Sequence, residues 1–259
     1  MRIIVLTSDR CGIASMVLPE LCLNPQLEVV KVVFVRKNSS NQIKKLKRKI
    51  SKISRIGLLG ALNGIRLRKW YSYGSVKDIY SVCKTNNVQF LETDYLNHSK
   101  TINIFKEAKA DIGVSLGNGY IGKNLFSIPK FGMINIHTEL LPAFRGGSDI
   151  IWPIYERVNE TGFTIHQISR KFDKGNILYQ KKYPIEFFPT LGKTVLNNRN
   201  NITPQIPKAI SYVCENYINL KSKSISQGKG KSYTTPTFYQ YIRMVKNNDL
   251  MYKESLLNK

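Results

Sequence analysis

Cysteine is scarce in this chain, and the cysteines that occur lie far apart. There are four in 259 residues, and no two of them form a C-x-x-C pair; they are Cys11, Cys22, Cys83 and Cys214. A structural zinc site or a disulfide framework needs clustered cysteines, so neither is expected. Scattered cysteines of this kind suit a protein kept in a reducing cytosol.

Long apolar runs are also lacking. The first ten residues, "MRIIVLTSDR", are apolar only from Ile3 to Leu6, which is shorter than the apolar region of a signal peptide. The longest weakly polar stretch, Ile56 to Ile65, contains Asn63 and three glycines and is too short to cross a bilayer. We therefore expect a cytoplasmic protein.

Acidic residues are few, so the chain is strongly basic. There are 17 Asp and Glu against 40 Lys and Arg, which gives a net charge of +23. The excess is concentrated between Arg36 and Lys77, where 13 basic residues occur without one acidic residue. Such a block attracts polyanions, which include nucleic acid, an anionic membrane leaflet and phosphorylated substrates. A solvated, partly flexible insertion over residues 36–77 is the alternative, because charge alone names no partner.

The spacing of apolar residues predicts alternating strands and helices. Ile3–Leu6 and Val29–Val35 are typical of buried parallel strands, and Ile13–Leu23 between them has helical spacing. Further strands are expected in "VQFLE", "DIGVSL", "GMINIH" and "FTIHQI", and further helices in 75–83, from a capping box "SVKD", and 99–108. This rhythm predicts an α/β fold, namely an open, Rossmann-like, mostly parallel sheet with helices on both faces. Ligands of such sheets bind beyond the carboxyl ends of the strands.

The pattern changes after Pro184. The segment "EFFPTLGKTVLNNRNNITPQIP" is rich in Pro and Asn and is predicted to be irregular, with a helix following from Val213 to Leu220. We predict a catalytic domain over residues 1–189, which includes the basic insertion, and a small C-terminal appendage over residues 190–259.

The stretch "MINIHTELLPAFRGG", residues 133–147, places polar side chains at the end of an apolar strand. Because side chains alternate along a strand, Asn135 and His137 share one face, about 7 Å apart. The amide can stabilise a developing oxyanion, and the imidazole can take a proton from an attacking amine. A carboxylate to orient the imidazole is offered by Asp173, in the turn "DKG". These are parts of an acyl-transfer site, and the lack of a G-x-S-x-G elbow argues against a covalent intermediate.

Each of these side chains also has a structural interpretation. Asn135 fits a strand-end hydrogen bonder, His137 a buried structural histidine and Asp173 a plain turn residue. Arg145 fits an internal ion pair as well as a contact with a ligand anion. Only the joint arrangement favours chemistry, and His166 lacks that support, so we expect it within the sheet or behind the site.

The span 110–185 resembles the catalytic core of the folate-dependent formyltransferases, which move a formyl group from 10-formyltetrahydrofolate to an amine. Four pieces match in order: "N-x-H" at 135–137, "LLP-x-x-RG" at 140–146, "TG-x-T" at 161–164 and "D-x-G" at 173–175. Four ordered pieces are far more specific than any one of them. Glu139 stands where many members have Ser, and Lys174 fills the usually small middle position of "D-x-G"; these departures bear on the choice of acceptor.

The resemblance implies a role for each matching residue. His137 would be the base on the acceptor amine, Asn135 would stabilise the tetrahedral intermediate, and Asp173 would orient His137 or relay protons through water. The cosubstrate would be 10-formyltetrahydrofolate, and no metal is expected. The loop expected near its pterin is "LGNGYI", which comprises Leu116, Gly117, Asn118, Gly119, Tyr120 and Ile121. Arg145, Gly146 and Gly147 are expected to contact the acceptor.

The acceptors of this family are methionyl-tRNA, glycinamide ribonucleotide and nucleotide-linked amino sugars. The tail phrase "GKGKSYTTPTFYQY", residues 228–241, resembles a segment of sugar N-formyltransferases from polysaccharide gene clusters. We therefore predict that the acceptor is a nucleotide-linked dideoxyamino sugar, with GDP-perosamine as the first candidate, and that the product serves surface polysaccharide (O-antigen, lipopolysaccharide) synthesis. Methionyl-tRNA formylation is one alternative, and a non-catalytic, basic nucleic-acid-binding protein is another.

The basic block suggests a further partner. A sugar nucleotide needs only one or two cations for its diphosphate, so the remaining charges of residues 44–69 are expected to contact an anionic membrane surface, on the cytoplasmic face of the inner membrane. Aromatic residues of the tail, Phe238, Tyr239 and Tyr241, suit either a homodimer contact or the core.

Overall fold

The computed structural model describes residues 1–36, 42–71 and 73–257. Parts of the predicted basic insertion, residues 37–41 and residue 72, lie outside this description. The strands are β1 (Arg2–Thr7), β2 (Glu28–Val35), β3 (Phe90–Thr93), β4 (Ile112–Leu116), β5 (Met133–His137), β6 (Phe144–Arg145), β7 (Glu160–Gln167), β8 (Ile177–Pro184) and β9 (Lys231–Ser232). The α-helices are α1 (Ile13–Leu23), α2 (Gln42–Trp70), α3 (Ile79–Thr85), α4 (Ser99–Ala108), α5 (Lys123–Phe126), α6 (Ile151–Tyr155), α7 (Leu191–Ile202), α8 (Ile206–Glu215), α9 (Tyr217–Ser222) and α10 (Phe238–Leu257).

The main sheet has seven strands in the order β3-β2-β1-β4-β5-β7-β8. The five strands from β3 to β5 are parallel to their neighbours, whereas β7 pairs antiparallel with both β5 and β8. The strand order changes direction between β1 and β4, so a crevice is expected beyond their carboxyl ends. The predicted mostly parallel, Rossmann-like α/β fold is confirmed.

Two apolar cores cover the two faces of the sheet. Alternate residues of β1 point in opposite directions: Ile3 and Val5 belong to the core that includes α1, α3 and α8, whereas Ile4 and Leu6 belong to the core that includes α4 and α5. This alternation explains why β1 and β2 are apolar almost without interruption, since a strand covered on both faces has no side for polar residues.

Two of the predicted helical boundaries are wrong. Helix α3 begins at Ile79 and not at Ser75, because Asp78 is the N-cap and its side chain accepts a hydrogen bond from the amide of Tyr80 (2.8 Å). The single helix predicted from Val213 to Leu220 is two helices, α8 and α9, which divide at Asn216.

The segment predicted to be irregular contains a 12-residue helix, α7. Thr190 caps it by accepting from the amide of Lys193 (3.4 Å), and the helix buries Leu191 and Val195 on one face. Asn198 is buried as well, and its polar side chain is satisfied there by hydrogen bonds with both the amide and the carbonyl of Glu186 (2.9 and 2.7 Å). The asparagines that indicated a loop therefore include one that satisfies buried backbone groups from within a helix.

The segment after Pro189 packs against the sheet and around the end of α2. Helix α8 lies on α1 in the first core, whereas α7 and α10 join α2 and α6 in a third core that includes Leu67, Trp152 and Met244. In this tail Tyr241 is buried and Tyr239 is exposed. The domain boundary at residue 189 and a homodimer stay predictions.

A buried ion pair connects α7 to the segment that follows β6. The guanidinium of Arg199 lies 2.5 Å from the carboxylate of Asp149, and both side chains are about nine-tenths buried. Two aromatic rings flank the guanidinium, those of Tyr71 (4.8 Å) and Tyr73 (5.4 Å). Removing one partner of such a pair leaves an uncompensated buried charge and costs about 3–5 kcal/mol. The pair thus fixes the end of the basic insertion and α7 against the segment that carries the "RGG" residues.

Glu139 holds the segment between β5 and α6 in a similar way. Its carboxylate is 1% exposed and accepts from the amide of Ile150 (2.7 Å), the hydroxyl of Thr161 (2.6 Å) and the amide of Leu140 (3.0 Å). Burial raises the pKa of Glu139 to about 8, although these three donors oppose the shift. The residue that departs from the family pattern is therefore a buried structural link between the end of β5 and the start of β7.

This carboxyl makes stability depend on pH. The pKa of Glu139 is higher in the folded protein than in the unfolded chain, so the unfolded chain releases the proton first as pH rises. Between about pH 5 and pH 8, the free energy of unfolding should therefore fall with pH by about 1.4 kcal/mol per pH unit from this group. In Glu139→Gln this contribution is absent, and urea denaturation across that range should show a correspondingly flatter pH dependence. Glu107→Gln, at an exposed carboxyl, is the matched control and should keep the wild-type slope. Parallel slopes for wild type and Glu139→Gln would contradict the burial of a titrating Glu139.

Candidate active site

The antiparallel pairing of β5 with β7 brings three polar side chains to one face. Asn135 lies directly opposite His166 in the register, and His137 lies opposite Thr164. Directly opposite residues project from the same face of a sheet, so His166 joins Asn135 and His137 there. The amide nitrogen of Asn135 is 3.4 Å from Nε2 of His166.

Asp173 lies between the two imidazoles. Its carboxylate oxygens are 3.8 Å from Nδ1 of His137 and 3.7 Å from Nε2 of His166. These distances are within ion-pair range but longer than a direct hydrogen bond. Asp173 and both histidines are at least nine-tenths buried, so a charge on any of them is felt strongly by the others. The three residues predicted from sequence are thus brought together, and their catalytic roles stay predictions.

The turn that carries Asp173 is held tightly against β7. Asp173 itself has a left-handed backbone (φ 49°). A Cβ at Gly175 would lie 1.7 Å from the carbonyl oxygen of Gln167, so no other residue allows the chain to return so close to the strand. The carbonyl of Gly175 also accepts from the side chain of Gln227 (2.7 Å). The position of the carboxylate therefore depends on β7 and on the tail.

The hydrogen bonds assign the tautomers of both rings. Nε2 of His137 lies 2.6 Å from the carbonyl oxygen of Phe144, and Nδ1 of His166 lies 2.8 Å from the carbonyl oxygen of Gln167. A carbonyl only accepts, so each of these nitrogens carries a hydrogen. The unprotonated nitrogens in the neutral rings are then Nδ1 of His137 and Nε2 of His166, and both face Asp173.

His166 is suited to accept rather than to carry charge. Burial lowers its pKa below the usual value for histidine. A neutral ring with its hydrogen on Nδ1 can accept a hydrogen bond from one amide hydrogen of Asn135, which leaves the second amide hydrogen available for a ligand. The sequence predicts His166 within the sheet or behind the site, whereas the structure places it on the pocket wall. The alternation of Thr164 and His166 along β7 indicates that the two share a face, but the register that sets His166 opposite Asn135 cannot be predicted from the sequence.

A pocket of about 380 Å³, including its open mouth, lies beyond β4 and β5. Asn135, His166 and Asp173 form its polar wall, and the side chains of Ile121, Ile168 and Phe172 also line it. A pocket with an apolar lining and a few converging polar groups is the usual form of a small-molecule site.

The loop predicted to lie near a pterin only partly lines this pocket. Asn118, Gly119, Tyr120 and Ile121 are among its lining residues, whereas Leu116 is fully buried in the core. A Cβ at Gly117 would lie 2.7 Å from the carboxylate of Asp9. The side chain of Asn118 donates to the carbonyl of Leu6 (2.7 Å) and therefore fixes the loop to β1.

Arg145, predicted to contact the acceptor, is turned toward the tail. It is 4% exposed, and its guanidinium donates to the side chain of Gln227 (3.0 Å) and to the carbonyls of Gly228 (3.0 Å) and Gly230 (3.4 Å). These partners are neutral oxygens, so the expected ion pair of Arg145 is not among the described contacts, and its contact with the acceptor stays a prediction. Gln227 links Arg145 to the turn of Asp173.

The two glycines after Arg145 are packed against aromatic residues. A Cβ at Gly147 would lie 2.4 Å from the indole nitrogen of Trp152, and one at Gly146 would lie 3.1 Å from the carbonyl of Tyr233. Tyr233 stacks on Phe144 (5.7 Å between centroids), whose carbonyl holds His137. Acceptor contacts by Gly146 and Gly147 stay predictions.

Among the residues that the structure describes, no group of three or more His, Cys, Asp or Glu side chains is arranged to hold a metal ion. The two histidines and the aspartate of the site make contacts with one another and with backbone carbonyls instead.

Curated relatives match part of this chain. A methionyl-tRNA formyltransferase from Ehrlichia ruminantium is 34% identical over 125 residues, which is 48% of this chain and 41% of the relative. The chain thus spans about half the length of the curated relatives it matches.

Solved structures of low sequence identity share the fold over most of the chain. Glycinamide ribonucleotide transformylase 1 from Symbiobacterium toebii has a TM-score of 0.57 at 16% identity and covers 89% of this chain and 92% of its own. An N-formyltransferase from Helicobacter canadensis, solved with folinic acid and dTDP-3-aminofucose, has a TM-score of 0.52 at 18% identity, with coverages of 90% and 70%. These likenesses concern the fold alone.

The family itself is shown by a sequence match to most of the chain. The model of the family described as "Formyl transferase" matches residues 1–203 of the 259, a span that contains all seven strands of the main sheet and the candidate site. This protein belongs to the formyl transferase family.

Proposed function

We propose that this protein transfers a formyl group from 10-formyltetrahydrofolate to the amine of a nucleotide-linked amino sugar. The observation that carries the proposal is the placement of Asp173 within 3.8 Å of Nδ1 of His137, while Asp173 and Asn135 both line the pocket. His137, Asp173 and Asn135 supply a base, a counter-charge and an amide donor, which are the groups that formyl transfer to an amine needs.

The tautomer of His137 determines which of its nitrogens can act as the base. With Nε2–H donated to the carbonyl of Phe144, only Nδ1 has a lone pair for the proton of the acceptor amine. The amine nitrogen bonds to the formyl carbon, its proton passes to Nδ1, and Asp173 stabilises the imidazolium that results. The free amide hydrogen of Asn135 donates to the oxygen that becomes negative. The bond from carbon to the folate nitrogen then breaks, and the proton on Nδ1 passes to that nitrogen.

The pocket suits a flat, partly polar cosubstrate. Ile121, Ile168 and Phe172 offer apolar surface, and the loop at 118–121 lines the same space. The neighbour from Helicobacter canadensis, which was solved with folinic acid, supports a folate there.

An anionic acceptor is supported by the basic surface beside this pocket. Lys171 lines the pocket and also a second depression that contains Lys174 and Lys229. All three lysines are exposed, so their ammonium groups can meet a diphosphate. The dTDP-3-aminofucose bound to the Helicobacter canadensis neighbour supports a nucleotide-linked amino sugar, and GDP-perosamine is the first candidate, for O-antigen or another surface polysaccharide.

Methionyl-tRNA is the second candidate acceptor. The curated relatives that match this chain bear the name methionyl-tRNA formyltransferase, and the basic excess of the chain suits a nucleic acid. The predicted cytoplasmic location fits both acceptors.

A panel of acceptors distinguishes these candidates. With 10-formyltetrahydrofolate, the purified protein should formylate GDP- or dTDP-linked amino sugars, as followed by folate absorbance and by mass spectrometry of the product. Exclusive formylation of methionyl-tRNA, with steep salt dependence, would replace the sugar proposal. Formylation of no acceptor would contradict the proposed function.

Substitution of His137 tests the mechanism with the preferred acceptor. His137→Ala should lower kcat by about 10²–10⁴-fold, because the nitrogen that takes the proton of the amine is lost, and the other unprotonated imidazole nitrogen, Nε2 of His166, already accepts from Asn135. His98→Ala, at an exposed histidine, is the matched control and should retain wild-type turnover. A fully active His137→Ala protein would refute the role of the base.

Charge removal at the second depression tests how the acceptor is held. Lys171→Gln combined with Lys174→Gln should raise KM for a nucleotide-linked sugar by about tenfold or more, since a charge-assisted contact is worth about 1.5–3 kcal/mol, with a smaller effect on kcat. Lys208→Gln with Lys223→Gln, at exposed lysines elsewhere, removes the same charge and should leave KM unchanged. An unaltered KM in the first variant would place the diphosphate elsewhere.

A further inference from the structure

The basic insertion contains two helical segments that meet at a kink. Helix α2 extends from Gln42 to Trp70 and changes direction at Gly57, which has φ 73° and ψ 167°. It thus has two halves, residues 42–56 and 58–70, and only glycine adopts this backbone without strain. Among the described residues, no helix is long and apolar enough to span a membrane.

Both halves of α2 present large apolar side chains to solvent. In the first half Leu46, Ile50 and Ile53 are 58%, 57% and 42% exposed. Their spacing of four and three residues places them on one side of the helix. In the second half the same spacing recurs, and the exposed fractions at Leu58, Leu62 and Ile65 are 69%, 56% and 57%.

The opposite side of the second half is already occupied. Leu67 and, just before the bend, Ile56 are each 4% exposed, and a Cβ at Gly60 would lie 3.3 Å from the backbone nitrogen of Phe238, at the start of α10. The exposed leucines and isoleucine are therefore not turned toward the core of this chain. An apolar strip of this kind on a protein surface marks an interaction site.

The charges along α2 are of one sign. Residues 42–70 contain ten Lys and Arg and no Asp or Glu. Among those whose side chains are described, Lys47, Arg55, Arg66, Arg68 and Lys69 are exposed.

We infer that α2 is an in-plane anchor for an anionic membrane surface. A helix that has an exposed apolar strip and whose charged residues are all basic matches the chemistry of such a surface: the apolar side chains enter the acyl region while the cations meet the anionic headgroups. The inference is independent of which acceptor the site uses.

Other occupants of this face fit less well. A second copy of the chain would bring together two helices whose charged residues are all basic across a two-fold axis, and their like charges would repel. A nucleic acid would use the cations but gives no reason for the seven Leu and Ile side chains that are exposed among those described in α2, since the phosphate backbone is bound by charge. An anionic lipid surface uses both features.

Vesicle sedimentation tests the inference. The full chain should sediment with vesicles of phosphatidylglycerol and phosphatidylcholine at low salt and not with phosphatidylcholine alone. Leu46→Gln/Ile50→Gln/Ile53→Gln, at exposed positions, removes the apolar strip of the first half and should weaken this binding by about tenfold or more. Lys47→Glu/Arg55→Glu should weaken it to a similar degree, whereas Lys208→Glu/Lys223→Glu, with the same change in net charge on α8 and after α9, should weaken it much less.

Each alternative occupant has its own result. Failure of the wild-type chain to bind the anionic vesicles overturns the inference. Full binding of the Leu46/Ile50/Ile53 variant to the anionic vesicles also overturns the inference, because the surface would then bind polyanions by charge alone. In that case, wild type and variant would bind tRNA equally in a mobility-shift assay. A wild-type dimer that this variant converts to a monomer, without vesicle binding, assigns the strip to self-association and also overturns it. Circular dichroism of each variant shows that the fold is kept, so a loss of binding is attributable to the surface.

Discussion

The antiparallel pairing of β5 with β7 is the constraint on which the candidate site depends. The strand pairs from β3 to β5 are all parallel. A parallel neighbour on the other side of β5 would have placed its carboxyl end beside the carboxyl end of β5. The antiparallel register instead sets His166 against Asn135 and sends the chain back past the site in the loop that carries Asp173. A shift by one residue would turn His166 to the opposite face, and the carboxylate would lose one of its two partners.

Around that register, polar contacts fix atoms that the core leaves undefined. The carbonyl of Phe144 determines which nitrogen of His137 is basic, and Phe144 is in turn held by Tyr233 from the tail. Glu139 ties the following segment to β7, and Arg145 holds the tail that bonds the turn of Asp173. Such buried polar links are favourable only when each group has a partner. Loss of one of these contacts is therefore expected to disturb the positions of the site residues as well.

The sequence predicts the parts of this structure that repeat a simple pattern. The nearly continuous apolar runs of β1 and β2 and the helical spacing of α1 predict a sheet covered on both faces, and the N-x-H pair predicts a polar face at the end of β5. Helix α7 is missed because asparagine is common in loops, and Asn198 finds its partners on Glu186 only in the folded chain. The contribution of His166 to the site depends on the register of β5 with β7. The direction of the Arg145 side chain depends on Gln227, about 80 residues away in the sequence. Neither can be predicted from a local sequence pattern.

The protonation of His137 is the most direct point of test, because the proposed chemistry needs Nδ1 to be free. Long-range ¹⁵N–¹H correlation spectra of histidine-labelled protein distinguish the two neutral tautomers. With neutral rings, His137 should carry its hydrogen on Nε2, His166 should carry its hydrogen on Nδ1, and substitution Asp173→Asn should perturb the Nδ1 signal of His137. A His137 ring with its hydrogen on Nδ1, insensitive to Asp173, would contradict the assignment of this nitrogen as the base.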